Sequence, residues 1–261
     1  MAYQIYGHGP SAIFAFHGYS QDCTEFRLME EKFGKDFTIY SFDLFFHGHS
    51  RNQQLDVMDS VTGAELARFF KAFADSLELK KFSQIAYSMG GRIAFSLIEH
   101  MPAYVKSTVL LAPDGLIDNT WYAFACRTSI GRHMFEAFRV NPFFLLKLGD
   151  VLQQNGLLHK KLHRVAMQEA GTQESRDRLY NTWMFLRAVK ISKAKVELHI
   201  DQYDMGLLIL LGEFDKMIPP KKILKWDYLS KREDRVEVLK LGHMMLGRKA
   251  FSLIKRRGVF Q

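Results

Sequence analysis

Cysteine is scarce: Cys23 and Cys126 are the only two in 261 residues. That excludes a disulfide framework, leaves no zinc-type cysteine spacing, and suits a reduced, cytoplasmic setting with both thiols as small buried side chains. Long apolar runs are also missing. Stretches such as LLILL at 207–211 are far too short to cross a bilayer. The opening MAYQIYGHGP lacks a charged start followed by an apolar stretch, so no secretory leader is expected. There is no internal repeat and no low-complexity tract.

The charge is +8, a balance that elsewhere suggests nucleic acid or membrane partners. Its distribution argues against both. Between Trp121 and Lys195 stand 13 Lys and Arg against 5 Asp and Glu, while the rest of the chain balances 23 against 23. The excess belongs to one internal segment, not to a tail or a repeated basic stripe. A small-molecule substrate is expected, with an anionic one as a hypothesis resting on this asymmetry.

At 48% hydrophobic content, a chain of this length can bury a substantial core. Short apolar runs at 11–16, 37–42, 83–87, 107–112, 207–212 and 236–241 read as buried strands, with Tyr3 to Tyr6 as an additional edge strand. Helical spacing appears over Ser60–Leu77, Arg92–His100 and Ile223–Leu229. The alternation predicts an α/β fold, a mostly parallel sheet flanked by helices. From Trp121 to about Lys195 strand-like runs vanish and helical ones replace them, with breaks at Asn141-Pro142 and Glu169–Thr172. The expected organisation is one domain, with a core of 1–118 and 196–261 and an inserted helical cap over about 119–195. Most of the cap's aromatics, among them Trp121, Phe135, Phe144 and Trp183, are expected to pack helices together.

Within IAYSMGGRIAF, Ser88 follows a strand pattern and precedes a helical one. One reading of a serine there is a cap on the helix. The same context is that of a nucleophile elbow, a sharp turn at the carboxyl end of a strand. Ala86 stands where glycine is usual, and Gly90 serves where a Cβ would collide. A serine hydroxyl needs a general base, and His243 lies just beyond the last strand pattern. The imidazole needs a carboxylate, and Asp215 follows LLILLGEF. Asp114, after LLAP, is the alternative acid; the order Ser88, Asp215, His243 favours Asp215. Two amides, those of Tyr19 after FHG and of Met89 after the serine, form the expected oxyanion hole. His17 is read as a brace for that loop, and His47 and His49 as stabilisers of their own turn. No metal and no cofactor are called for.

Taken together, FHGYS, DLFFHGHS, AYSMGG, GEFD and LGH resemble the α/β-hydrolase superfamily over nearly the whole chain. Phe45 and Phe46 replace the Pro and Gly of that family's Asp-Leu-Pro-Gly-His-Gly-x-Ser turn, which leaves the turn's conformation open and offers the two aromatics as a pocket wall instead. The resemblance implies a cap that selects substrates. With serine at the elbow, it implies cleavage of a small carboxylic ester or related acyl compound. HGYSQDCTEF with YSMGGR is also similar to the menaquinone-pathway synthase that eliminates pyruvate. On that alternative the triad acts as a base in carbon–oxygen lysis, and Tyr87 and Arg92 bind an anionic substrate. Arg92 reads equally well as a structural arginine. The alternative from another class is a ligand receptor on the same fold without turnover.

Overall fold

The computed structural model describes residues 1–50, 59–117, 120–154, 167 and 169–260, without the side chains of Phe144, Leu145, Leu148 and Leu152. The helical pattern expected across 155–162, and the Phe144 side chain, therefore lie outside the described residues. Seven strands form one sheet: β1 (Tyr3–Tyr6), β2 (Ser11–Phe16), β3 (Phe37–Phe42), β4 (Phe82–Tyr87), β5 (Val105–Leu111), β6 (Gly206–Gly212) and β7 (Val236–Leu239). Their order across the sheet is β1-β3-β2-β4-β5-β6-β7, with every pairing parallel except that of β1 with β3. All seven expected strands are present, the first three with the ends expected and the other four with an end displaced by one or two residues.

Side-chain alternation explains why these runs are so apolar. On β2, Ile13 and Ala15 join a cluster with Ile85, Val109, Leu208, Phe251 and Ile254. Phe14 and Phe16 point the other way and pack with Phe42, Phe70 and Phe82. Both faces are thus covered, as a parallel sheet requires. One face carries helices Gly63–Ser76 and Gly90–His100, with Lys193–Gln202 packed against the latter. The Gly63–Ser76 helix starts at a capping box, in which Thr62 and Glu65 bond each other's backbone amides.

One expected helix is corrected. Ile223–Leu229 is not continuous; single turns at Pro220–Ile223 and Asp227–Ser230 flank Trp226. Trp226 leaves the helical region at ψ 107, its ring stacked on Tyr228 and its indole N–H donated to Glu197. The aromatic spacing is helical, but this tertiary anchor overrides it.

The chain divides into two compact units, the first holding the sheet and the second comprising 53–60 and 118–188. The second contains helices Thr120–Arg127, Ser129–Val140, Pro142–Gln154 and Gln173–Phe185. Thr128 caps Ser129–Val140, Thr172 caps Gln173–Phe185, and Asn141 separates Ser129–Val140 from Pro142–Gln154. Tyr122, Phe135, Tyr180 and Trp183 make edge-on and tilted ring contacts with one another within it. Among the described residues, no helix is long and apolar enough to cross a membrane.

Candidate active site

Ser88 sits one residue past the end of β4 with φ 49, a left-handed conformation that ordinary side chains avoid. Three hydrogen bonds hold the turn. Its amide donates to the Leu111 carbonyl at 3.0 Å, and its own carbonyl accepts from Gly91 at 2.9 Å and Asp114 at 2.8 Å. The turn brings the chain against the end of β2, where a Cβ on Gly90 would meet the Phe16 carbonyl oxygen at 2.2 Å. Gly90→Ala is therefore expected to lower stability by about 2–4 kcal/mol, since backbone and not a flexible side chain must yield. Denaturant unfolding would check this, a change below about 0.5 kcal/mol being the contrary result.

The Ser88 Oγ lies 3.0 Å from His243 Nε2, and His243 Nδ1 lies 2.7 Å from Asp215 Oδ2. Three strand ends supply the three residues, from β4, β6 and β7. Asp215 is fixed before it meets the imidazole, because its Oδ1 accepts the amides of Met217 and Ile218 at 2.8 Å each. Burial alone would raise its pKa. The His243 hydrogen bond and the two amides outweigh burial and hold the carboxyl below its ordinary value. The alternative acid, Asp114, is occupied elsewhere: its Oδ2 accepts Arg92 Nε at 2.6 Å and its Oδ1 the Gly115 amide at 2.7 Å.

The loop after β2 runs beside the elbow, as the closeness of Gly90 to the Phe16 and His17 carbonyls shows. His17 is fully buried, with Nδ1 2.7 Å from the Gly18 carbonyl and Nε2 accepting the Leu44 amide at 2.9 Å. These partners require a neutral ring with the proton on Nδ1. Burial lowers its pKa to about 4. The unfolded chain then takes up a proton that the folded one refuses, so stability should fall as pH drops from about 6.5 to about 4, by on the order of 3 kcal/mol. His17→Gln, which keeps a donor and an acceptor, should flatten that part of the stability–pH curve; an unchanged slope would contradict the assignment.

Tyr19 follows this loop, and Met89 caps the Gly90–His100 helix, whose first amides carry the positive end of its dipole. Asp43 anchors the DLFFHGHS turn, its Oδ1 accepting the Cys23 amide at 2.7 Å and its Oδ2 the His49 amide at 2.8 Å. Phe46, standing where glycine is usual, takes φ 66 and is buried. The turn thus forms despite the substitution. His47 Nδ1 lies 2.8 Å from the Phe45 carbonyl, within the same turn.

Tyr87 makes a contact that the sequence did not reveal. Its hydroxyl donates to the His243 carbonyl at 3.0 Å. Gln21 was also missed; its Oε1 accepts the Gly18 amide at 2.9 Å. The Tyr87 bond has no local signal, since it joins segments 156 residues apart, whereas the Gln21 bond closes a local turn in which the Gln21 amide also donates to the Gly18 carbonyl at 3.3 Å. Among the described residues, Asp22, Cys23 and Asp43 are close enough to share an ion. Burial and Asp43 push the Cys23 thiol up to about 12, and the Asp43 oxygens already accept N–H donors, so the cluster suits a metal poorly.

A family model described as the alpha/beta hydrolase fold matches residues 12–129. A protein of Mycobacterium tuberculosis described only as uncharacterised is 26% identical over 115 residues, 44% of this chain and 32% of its own length. The pimeloyl-[acyl-carrier protein] methyl ester esterase of Nitrosomonas europaea is 29% identical over 106 residues, 41% of this chain and 38% of the relative. The chain thus spans about a third of the length of the curated relatives it matches. Among solved structures, a thermophilic esterase from Thermogutta terrifontis superimposes with a TM-score of 0.68 at 17% identity, covering 100% of this chain and 94% of that one.

Proposed function

This chain has the α/β-hydrolase fold, and we propose that it is a serine hydrolase cleaving a small carboxylic ester or related acyl compound. The observation that carries this reading is the continuous hydrogen-bond chain from Ser88 through His243 to Asp215. Ser88 Oγ attacks the acyl carbon as His243 Nε2 takes its proton. The Tyr19 and Met89 amides hold the resulting oxyanion, and His243 returns the proton to the leaving alcohol. A water deprotonated by the same nitrogen then attacks the acyl-enzyme and frees Ser88. Asp215 keeps Nδ1–H in place and stabilises the imidazolium. No cofactor enters these steps.

The similarity to a relative named as a methyl ester esterase supports ester cleavage. The helical segment inserted between β5 and β6 is read as a cap that selects the substrate, and its basic excess as a preference for anionic acyl groups. A reduced cytoplasmic setting is the matching location; both cysteines are buried. The lyase reading needs Arg92 to hold an anion. That guanidinium is buried and bonded to Asp114 instead, which favours the hydrolase.

A series of p-nitrophenyl esters of increasing acyl length tests the proposal. Saturable release of nitrophenol with an optimum at one chain length is expected. No turnover across the series, together with elimination of pyruvate from the menaquinone intermediate, would replace this reading with the lyase.

A further inference from the structure

We propose that Tyr87 is a positioning residue for His243, holding the base over Ser88 through a hydrogen bond to its carbonyl and a tilted ring contact, and not a substrate contact. The inference rests on the serine-hydrolase reading and deepens it. Tyr87 is the last residue of β4 and is 2% exposed. Its ring lies against the His243 imidazole, with centroids 5.4 Å apart and planes inclined at 41°. Its hydroxyl donates to the His243 carbonyl at 3.0 Å and lies 3.4 Å from Met244 Sδ. The ring also abuts the loop after β2, where a Cβ on Gly18 would meet Tyr87 Cδ1 and Cε1 at 2.9 Å.

The segment that Tyr87 grips needs such a hold. Past the end of β7 the chain runs from Leu241 to Leu246 without regular structure. Phe214 donates to the Leu241 carbonyl at 3.0 Å, and the buried Met245 returns the chain to the core. Between those two anchors lies His243. The bond from Asp215 fixes one ring nitrogen, but rotation and translation of the loop would still carry Nε2 away from Ser88. Tyr87 opposes that motion from the residue directly before the nucleophile, so base and nucleophile are referenced to the same strand end. Burial, and then the Asp215 and Glu25 charges, push the phenol's pKa well above its ordinary value. The hydroxyl therefore remains a donor through the neutral range, which a carbonyl partner requires.

Tyr87→Phe tests this, because it keeps the ring and removes only the hydroxyl. The melting temperature should fall by no more than a few degrees. Displacing a reacting group by about 1 Å can cost about 100-fold in rate. Accordingly, kcat for the best p-nitrophenyl ester should drop about 10- to 100-fold with KM changed less than about twofold. The rate of Ser88 modification by a fluorophosphonate should drop in proportion. The far-downfield proton resonance of the His243–Asp215 hydrogen bond should broaden, a change that a loss of general stability would not produce.

A raised KM at unchanged kcat would assign Tyr87 to the substrate and overturn the proposal. So would unchanged kcat, labelling rate and resonance. Failure of the underlying hydrolase reading looks different: there the wild-type protein itself neither turns over esters nor labels at Ser88.

Discussion

Asp215→Asn is expected to reduce kcat by about 10⁴-fold while leaving the backbone in place. The reason lies in how the two carboxylate oxygens are used. Oδ1 accepts two amides, from Met217 and Ile218, at 2.8 Å each, and Oδ2 faces His243 Nδ1 at 2.7 Å. An asparagine has one acceptor and one NH₂. Its oxygen must stay on the two amides, because an NH₂ facing two N–H donors leaves all of them unpaired in a buried site. The NH₂ therefore faces His243 Nδ1 and can be accepted only by an unprotonated nitrogen. That places the imidazole proton on Nε2, where it points at Ser88 Oγ and cannot receive the serine proton. The variant should fold, bind substrate with KM little changed, and fail at proton transfer. A kcat within tenfold of wild type would show that Asp215 does not set the tautomer.

Ser88→Ala should cost more, about 10⁵- to 10⁶-fold in ester turnover, because no other group in the site takes over the covalent step. What remains would come from binding and from oxyanion donors acting on a water attack. The fold should survive. The turn is held by backbone bonds to Leu111, Gly91 and Asp114, none of which involves the hydroxyl. The same φ of 49 that serine tolerates must be carried by alanine, at a cost of about 1 kcal/mol or less relative to serine. Steady-state kinetics beside a thermal melt separates the two outcomes. Loss of both structure and rate would leave Ser88 a structural residue and remove the nucleophile from the account.

Much of this arrangement was legible in the sequence because parallel strands buried on both faces are written as continuous apolar runs. Ile13 with Phe14, and Leu208 through Leu211, are examples. The three residues of the hydrogen-bonded chain could be singled out because each stands just past such a run, where loops gather at one edge of the sheet. Legibility ended where contacts join distant segments. Arg92 and Asp114 lie 22 residues apart and pair in the fold, while Tyr87 and His243 lie 156 apart. Nothing local marks either pair. The Trp226 region failed for a related reason: its apolar spacing is helical, yet the indole's bond to Glu197 and its stacking on Tyr228 decide the backbone. In the DLFFHGHS turn, the glycine conformation is imposed on Phe46 by its surroundings, among them the Asp43 bonds to Cys23 and His49. A one-residue reading of conformational preference would have excluded it.

The central claim is that Ser88 is a nucleophile activated by His243, and reaction with a fluorophosphonate tests it most directly. Intact-mass spectrometry of the wild-type protein should show one adduct, mapped by peptide sequencing to Ser88. The adduct should be absent in Ser88→Ala and should form at least about 100-fold more slowly in His243→Ala. A protein that stays unmodified, or an adduct on any other residue, would contradict the account.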